Sequence, residues 1–179
     1  MKIRIYQSLG ALALAAMVTM LIAYAQEKPR KDNAAGNVNN MSDMTEEMNK
    51  RGDHVMGFDH TKTAHHFRLL TDGGAIEVTA NTAEDTGSRD EIRMHLGHIA
   101  KMFASGNFNA PMLIHDQTPP GVPVMQKLKN EISYRFEETE RGATVRISTK
   151  NADALQAIHE FLRFQIKEHK TGDSLEVRQ

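Results

Sequence analysis

From His65 to Leu70 the chain alternates, with His65, Phe67 and Leu69 on one side of an extended strand and His66, Arg68 and Leu70 on the other. Asp72-Gly73-Gly74 is a turn signal. After it Ile76, Val78 and Ala80 alternate with Glu77 and Thr79. The pattern predicts a hairpin with one apolar face. The period then changes: Ile92, Leu96, Ile99 and Phe103 recur at helical spacing. Ser88 and Asp90 are candidate caps for that helix, and Gly106 stops it.

The same order returns further on. Ile132, Tyr134 and Phe136 alternate with Ser133, Arg135 and Glu137; Arg141-Gly142 turns the chain; Val145 and Ile147 lie on the apolar side of the return. Asn151 or Asp153 caps a last helix from Ala152 to about Lys170, with Leu155, Ile158, Leu162 and Ile166 as its apolar face and Phe161 beside it. Gly172 ends it. Between the halves, Asn107 to Val124 reads as irregular around Pro111, Pro119, Pro120 and Pro123, with a short helix over Pro123 to Lys129. The loop 109–115 is unusually apolar for a connection, which suits a cover over one end of a core.

At an offset of 66 to 69 residues Ile76 aligns with Val145, Ile92 with Ile158, Leu96 with Leu162 and Gly106 with Gly172. The expected fold is therefore α+β: a duplicated ββα unit (about 64–106 and 131–172) forming an antiparallel four-stranded sheet with two helices on one face. The imidazoles do not repeat, because His95 aligns with Phe161 and His98 with Phe164. A site at those residues is asymmetric and belongs to the first half and what precedes it.

The N-terminus carries a different signal. Lys2 and Arg4 precede an apolar run from Leu9 to Ala23, and Ala23-Tyr24-Ala25 has the small-x-small form of a cleavage site. The run is shorter than the roughly 20 residues a spanning helix needs. A cleaved signal peptide over 1–25 and a periplasmic or secreted protein are expected, an uncleaved anchor being the alternative. No membrane contact is expected after cleavage. Residues 26–53 are polar and read as a flexible linker. Within it Met41, Met44 and Met48 recur at i, i+3, i+7, the mark of a short amphipathic helix or of a tether offering thioethers. One domain, 54–179, remains.

Composition narrows the chemistry. The 179 residues carry a formal net charge of −1, which gives nucleic acid no basic patch to bind. There is no cysteine, so disulfides, iron–sulfur clusters, thiolate copper centres and thioether-linked haem are excluded. Nine histidines and eleven methionines are available instead. Met94, His95, His98 and Met102 share a stripe of the first helix, and His54, Met56, His60, His65 and His66 crowd the approach to the first strand. Imidazole with thioether suits a soft metal ion. The expected ligands are His95, His98, His65, His60, Met94 and Met102, with His54, Met56, His66 and His115 behind them. Copper is favoured, and zinc is an alternative. The competing reading makes the methionines core filler and His95 a boundary residue.

If His65, His95 and His98 share one ion, their imidazoles must converge to within roughly 4–5 Å, given metal–nitrogen bonds of about 2 Å. A b-type haem held by one His and one Met, walled by Phe58, Phe103, Phe108 and Met112, is a second possibility. A small enzyme using acid–base pairs is a third, with His115 beside Asp116, or His65 or His66 against Asp59 or Asp72; no Gly-x-Ser-x-Gly or phosphate loop supports it. His159 and His169 read as structural. The outer sheet face (His66, Arg68, Glu77, Thr79, Arg135, Glu137, Arg146, Ser148, with Leu70 as an apolar contact) is a mixed-charge surface, solvated or used by a homodimer.

Overall fold

The computed structural model describes residues 33–178, and of residues 33–42, 44 and 45 the backbone alone. The signal-peptide expectation at 1–25 lies outside the described residues. The elements in order are α1 (Asn33–Met56), β1 (Thr63–Leu70), β2 (Gly73–Ala80), α2 (Thr86–Ala104), α3 (Asn109–His115), α4 (Val122–Lys127), β3 (Ile132–Thr139), β4 (Gly142–Thr149) and α5 (Ala152–Glu168), with single turns of 3-10 helix ahead of β1 and β3. This is an α+β fold with a four-stranded antiparallel sheet and five α-helices. No helix among the described residues is long and apolar enough to cross a membrane.

The sheet runs β1-β2-β4-β3, with both hairpins joined through β2 and β4. In the first hairpin Thr63 pairs with Ala80, and in the second Ile132 pairs with Thr149, the same register shifted by 69 residues. At the centre Ile76 pairs with Val145, Gly73 with Ser148 and Thr79 with Gly142. The face carrying Phe67, Leu69, Ile76, Val78, Val145 and Ile147 is buried. Helix α2 lies against β4 and β3, and α5 against β1 and β2.

Alternation explains the strands and spacing explains the helices. Ile92, Leu96, Ile99, Ala100 and Phe103 are buried along α2, and Ile158, Phe161, Leu162 and Ile166 along α5. Gly74 lets α5 approach: a Cβ there would fall 2.1 Å from Leu162 Cδ1 and 2.6 Å from Arg68 O. The outer face is crossed by ion pairs, Arg68 with Glu77 at 3.0 Å and Arg146 with Asp72.

Several details differ from the sequence pattern. Asp85 caps α2, accepting from the Ser88 amide at 3.0 Å and the Ser88 hydroxyl at 2.8 Å, so Ser88 is the donor to the cap and lies inside the helix. The stretch read as irregular contains α3, whose Pro111 stands in the first turn, where no amide donor is needed. Asn151 caps α5 through the amides of Asp153 and Ala154.

Where composition marks a linker over 26–53, the chain is helical from Asn33. Its last turns dock: Met48 is 7 % exposed, and Arg51 Nε donates to the Ile114 carbonyl at 3.0 Å. The side chains of Met41 and Met44 lie outside the described residues. The polar C-terminal tail follows β1, with Arg178 N donating to Leu69 O at 2.9 Å. It covers part of a strand edge that would otherwise be open.

Candidate metal-binding cleft

β1 is an edge strand, so side chains on both its faces are reachable from the side. Alternation turns His65 inward and His66 outward. Ahead of the strand the single turn His60–Lys62 is capped by Asp59, which accepts from the Thr61 amide at 2.8 Å and the Thr61 hydroxyl at 2.6 Å. His169 caps the C-terminus of α5. The last turns of α1 close the third side. Between them lies a cleft of about 340 Å³ bordered by His60, His65, His66 and His169, with Met48 and Met56 from α1.

Two of these imidazoles are held by carboxylates. His60 Nδ1 lies 2.9 Å from both Asp53 oxygens, and the His60 amide donates to Asp53 as well. His66 Nδ1 is 3.0 Å from Asp173 Oδ1. Asp173, on the tail, also accepts from the Phe67 amide at 2.9 Å and from the Thr171 hydroxyl at 2.7 Å. Burial pushes its pKa up, but those bonds outweigh it and hold the carboxyl below its ordinary value. With Nδ1 engaged, each imidazole is left with Nε2 for a ligand.

The other two imidazoles are paired with each other. The rings of His65 and His169 lie 5.7 Å apart, centroid to centroid, with 10° between planes. Phe58 stacks on His65 at 5.8 Å and turns its edge to His95 at 5.6 Å. His115 meets His169 at 5.0 Å, and its Nε2 is 3.1 Å from Gln165 Oε1. Burial, reinforced by His95, His66 and His60, pushes the His65 pKa down to about 4. Burial likewise lowers His95 to about 4, with His98 adding to it, and His169 to about 3, with His65 and His115 adding to it. These rings are neutral at pH 7 and offer lone pairs without first losing a proton.

The six ligands expected from the sequence do not meet. His60 and His65 border the cleft, but His95 lies beyond Phe58. His98 and Met94 face solvent, Met94 at 74 % exposure, and Met102 packs against the core. Among the described residues the group of three or more His, Asp or Glu ligand atoms within 4.8 Å of one another is Asp53, Asp59 and His60. No three of His60, His65, His66 and His169 form such a group, and neither do His65, His95 and His98, since a helix places His98 nearly a full turn along and outward. Phe103 and Phe108 stack at 4.3 Å within the core, away from the cleft. His115 is buried and bonded to Gln165, and Asp116 is exposed. Asp72 is taken by Arg146.

Sequence reasoning left His169, Asp53 and Asp173 out of the candidate set, and it named Met48 as one of three methionines of an amphipathic helix or thioether tether. His169 had a signal: it follows Leu162 and Ile166 on the apolar stripe of α5, a core position given to an imidazole. Asp53 and Asp173 had none, since their partners lie 7 and 107 residues away. The class this geometry defines is an α+β protein with a histidine- and methionine-lined cleft at a sheet edge. No family model matches the chain, and neither a curated protein nor a solved structure is similar to it.

Proposed function

We propose that this is an exported protein that binds a soft or borderline metal ion in the cleft, copper before zinc, without turnover. The observation that carries the reading is the gathering of four imidazoles and two thioethers on one cleft, with His60 and His66 each fixed through Nδ1 by a carboxylate. Carboxylate–imidazole–metal relays of this kind orient a ligand and raise its basicity. Two imidazoles on one ion place their ring centroids roughly 5–6.5 Å apart, given metal–nitrogen bonds of about 2 Å; the His65–His169 separation of 5.7 Å falls inside that range. Met48 and Met56 favour Cu(I) over harder ions. Export rests on the N-terminal signal.

A duplicated ββα unit, with both helices over one sheet face, supplies an internal comparison. The 69-residue shift relates the two hairpins pair by pair. It also relates two close approaches: a Cβ on Gly73 would fall 2.1 Å from Ile147 O, and one on Gly142 would fall 2.1 Å from Val78 O. Under that shift His65 corresponds to Tyr134, and under the helix offset of 66 His169 corresponds to Phe103. Tyr134 and Phe103 also meet, at 5.9 Å. The fold therefore packs an aromatic pair at this strand–helix contact, and of the two contacts only that of β1 with the end of α5 makes it from imidazoles. Packing alone does not call for them.

The test uses that comparison. The chain is titrated with Cu(I), Cu(II) and Zn(II), alongside a double variant, His65→Tyr with His169→Phe, that installs the pair found between β3 and α2. Tight binding by the unsubstituted chain, lost in a variant that keeps its circular dichroism spectrum, is the expected result. Binding no tighter than that of an unstructured histidine-rich peptide, or equal binding by the double variant, refutes the reading.

A further inference from the structure

Behind the cleft lies a second, smaller space. A chamber of about 60 Å³ sits between the inner sheet face, α2, α3 and α5, walled by Val78, Leu96, Ile99, Phe103 and Phe161. It shares Met56, His65 and His169 with the cleft, so those three side chains form the partition between them. The chamber is partly open rather than sealed, and it holds several times the volume of one water molecule. An apolar cavity of about 150 Å³ admits benzene or xenon; one of about 60 Å³ has room for a single xenon atom but not for benzene.

Two features point to an occupant. Gln165 borders the chamber and is 4 % exposed; its Oε1 faces His115, while its Nε2 has no hydrogen-bond partner. A buried amide donor left alone costs free energy that one acceptor atom recovers. The partition also has a flexible member. Met56 is an unbranched side chain with three rotatable bonds, and it lies over Gly52, where a Cβ would come within 3.2 Å of its methyl group. The walls are mainly hydrocarbon, with Gln165 and the imidazoles of His65, His95 and His169 as the polar groups on them.

We propose that the chamber binds a neutral, largely apolar molecule of about two to four non-hydrogen atoms carrying one acceptor atom, which enters from the cleft past Met56. The site belongs to the metal-free chain and does not depend on an ion in the cleft.

Xenon and acetonitrile are the probes. Polarisation transfer from hyperpolarised xenon to the methyl protons of Val78, Leu96 and Ile99 in the unsubstituted protein is expected, and acetonitrile is expected to displace the xenon. In Gln165→Leu, with an unchanged circular dichroism spectrum, xenon still enters but displacement needs a higher acetonitrile concentration. Absence of transfer to those methyls overturns the proposal. Equal displacement in both proteins overturns the role of Gln165 as donor. In Val78→Leu, which fills the chamber from the sheet, transfer to Leu96 and Ile99 is lost; its persistence places the xenon elsewhere and also overturns the proposal.

Discussion

Acid should destabilise the metal-free chain well above the range in which carboxylates titrate. His65 and His95 are pushed from 6.5 down to about 4 and His169 to about 3, while in the unfolded chain each returns to an ordinary imidazole value. Above pH 6.5 both states are neutral at these rings and nothing is lost. As pH falls below 6.5 the unfolded chain takes up protons that the folded chain refuses, so stability falls with pH. The loss continues until the folded rings titrate, near pH 4 for two of them and near pH 3 for His169.

Each pKa unit is worth about 1.4 kcal/mol, so three independent rings would lose about 10 kcal/mol between pH 7 and pH 4. They are only partly buried and they repel one another once charged, so water entry and relaxation cut the figure to about 5 kcal/mol. That is still comparable with the whole stability of a small domain, about 5–15 kcal/mol. Asp173, whose pKa is lowered, adds stability that is present above the usual carboxylate range and lost only below it, so it does not contribute to a transition above pH 5. Urea unfolding followed by circular dichroism at half-unit intervals from pH 7.5 to 4.5 gives the slope. The His65→Tyr, His169→Phe variant should flatten it by about half or more, since His95 and His115, whose pKa burial also lowers, remain. A midpoint that does not move between pH 7 and pH 5, or a variant with the parent's slope, refutes the reasoning.

Two further outcomes are expected. Gly74→Ala places a methyl group 2.1 Å from Leu162 Cδ1 and 2.6 Å from Arg68 O, and since the second is backbone the strain cannot be relieved by a rotamer; a loss of about 3 kcal/mol in urea unfolding is expected. Asp173→Ala frees the His66 ring and the Phe67 amide together, so metal affinity should fall about 10- to 100-fold and limited proteolysis should cut the tail sooner, whereas affinity equal to the parent's removes His66 from the ligand set.

The elements were legible where the side-chain period was unambiguous. Alternation over His65–Leu70 and Ile132–Glu137, and the stripes of α2 and α5, describe strands and helices close to their observed bounds. The short α3 was not legible, because Pro111 reads as a breaker unless its place in a first turn is known. Of the six expected ligands, His60 and His65 border the cleft, while His95, His98, Met94 and Met102 do not. Helical spacing says which side chains share a stripe, but not which stripe faces a neighbour. The apolar edge Ile92, Leu96, Ile99 and Phe103 took the core for itself and turned Met94 and His98 to solvent. The residues that complete the cleft come from three separate stretches of chain, and contact between them is set by tertiary packing.

On the duplication reading, what the two halves do not share gathers at one edge of the sheet. β3, the other edge strand, is left with exposed Arg135, Glu137 and Glu138, charges that discourage pairing with another chain. β1 receives instead the end of α1 with Met48 and Met56, the turn carrying His60, and a tail that reaches the Phe67 amide through Asp173 and Leu69 O through Arg178. These are the parts that lie outside the repeats, before the first and after the second. A symmetric pair of hairpins has two equivalent edges and no reason to build a site at one of them. Additions at both ends of the chain make the edges different, and the imidazoles of His65 and His169 stand where those additions meet. Removing either addition should therefore abolish metal binding while leaving the sheet intact, as a chain truncated after Lys170 would reveal by retaining its far-ultraviolet spectrum without its affinity.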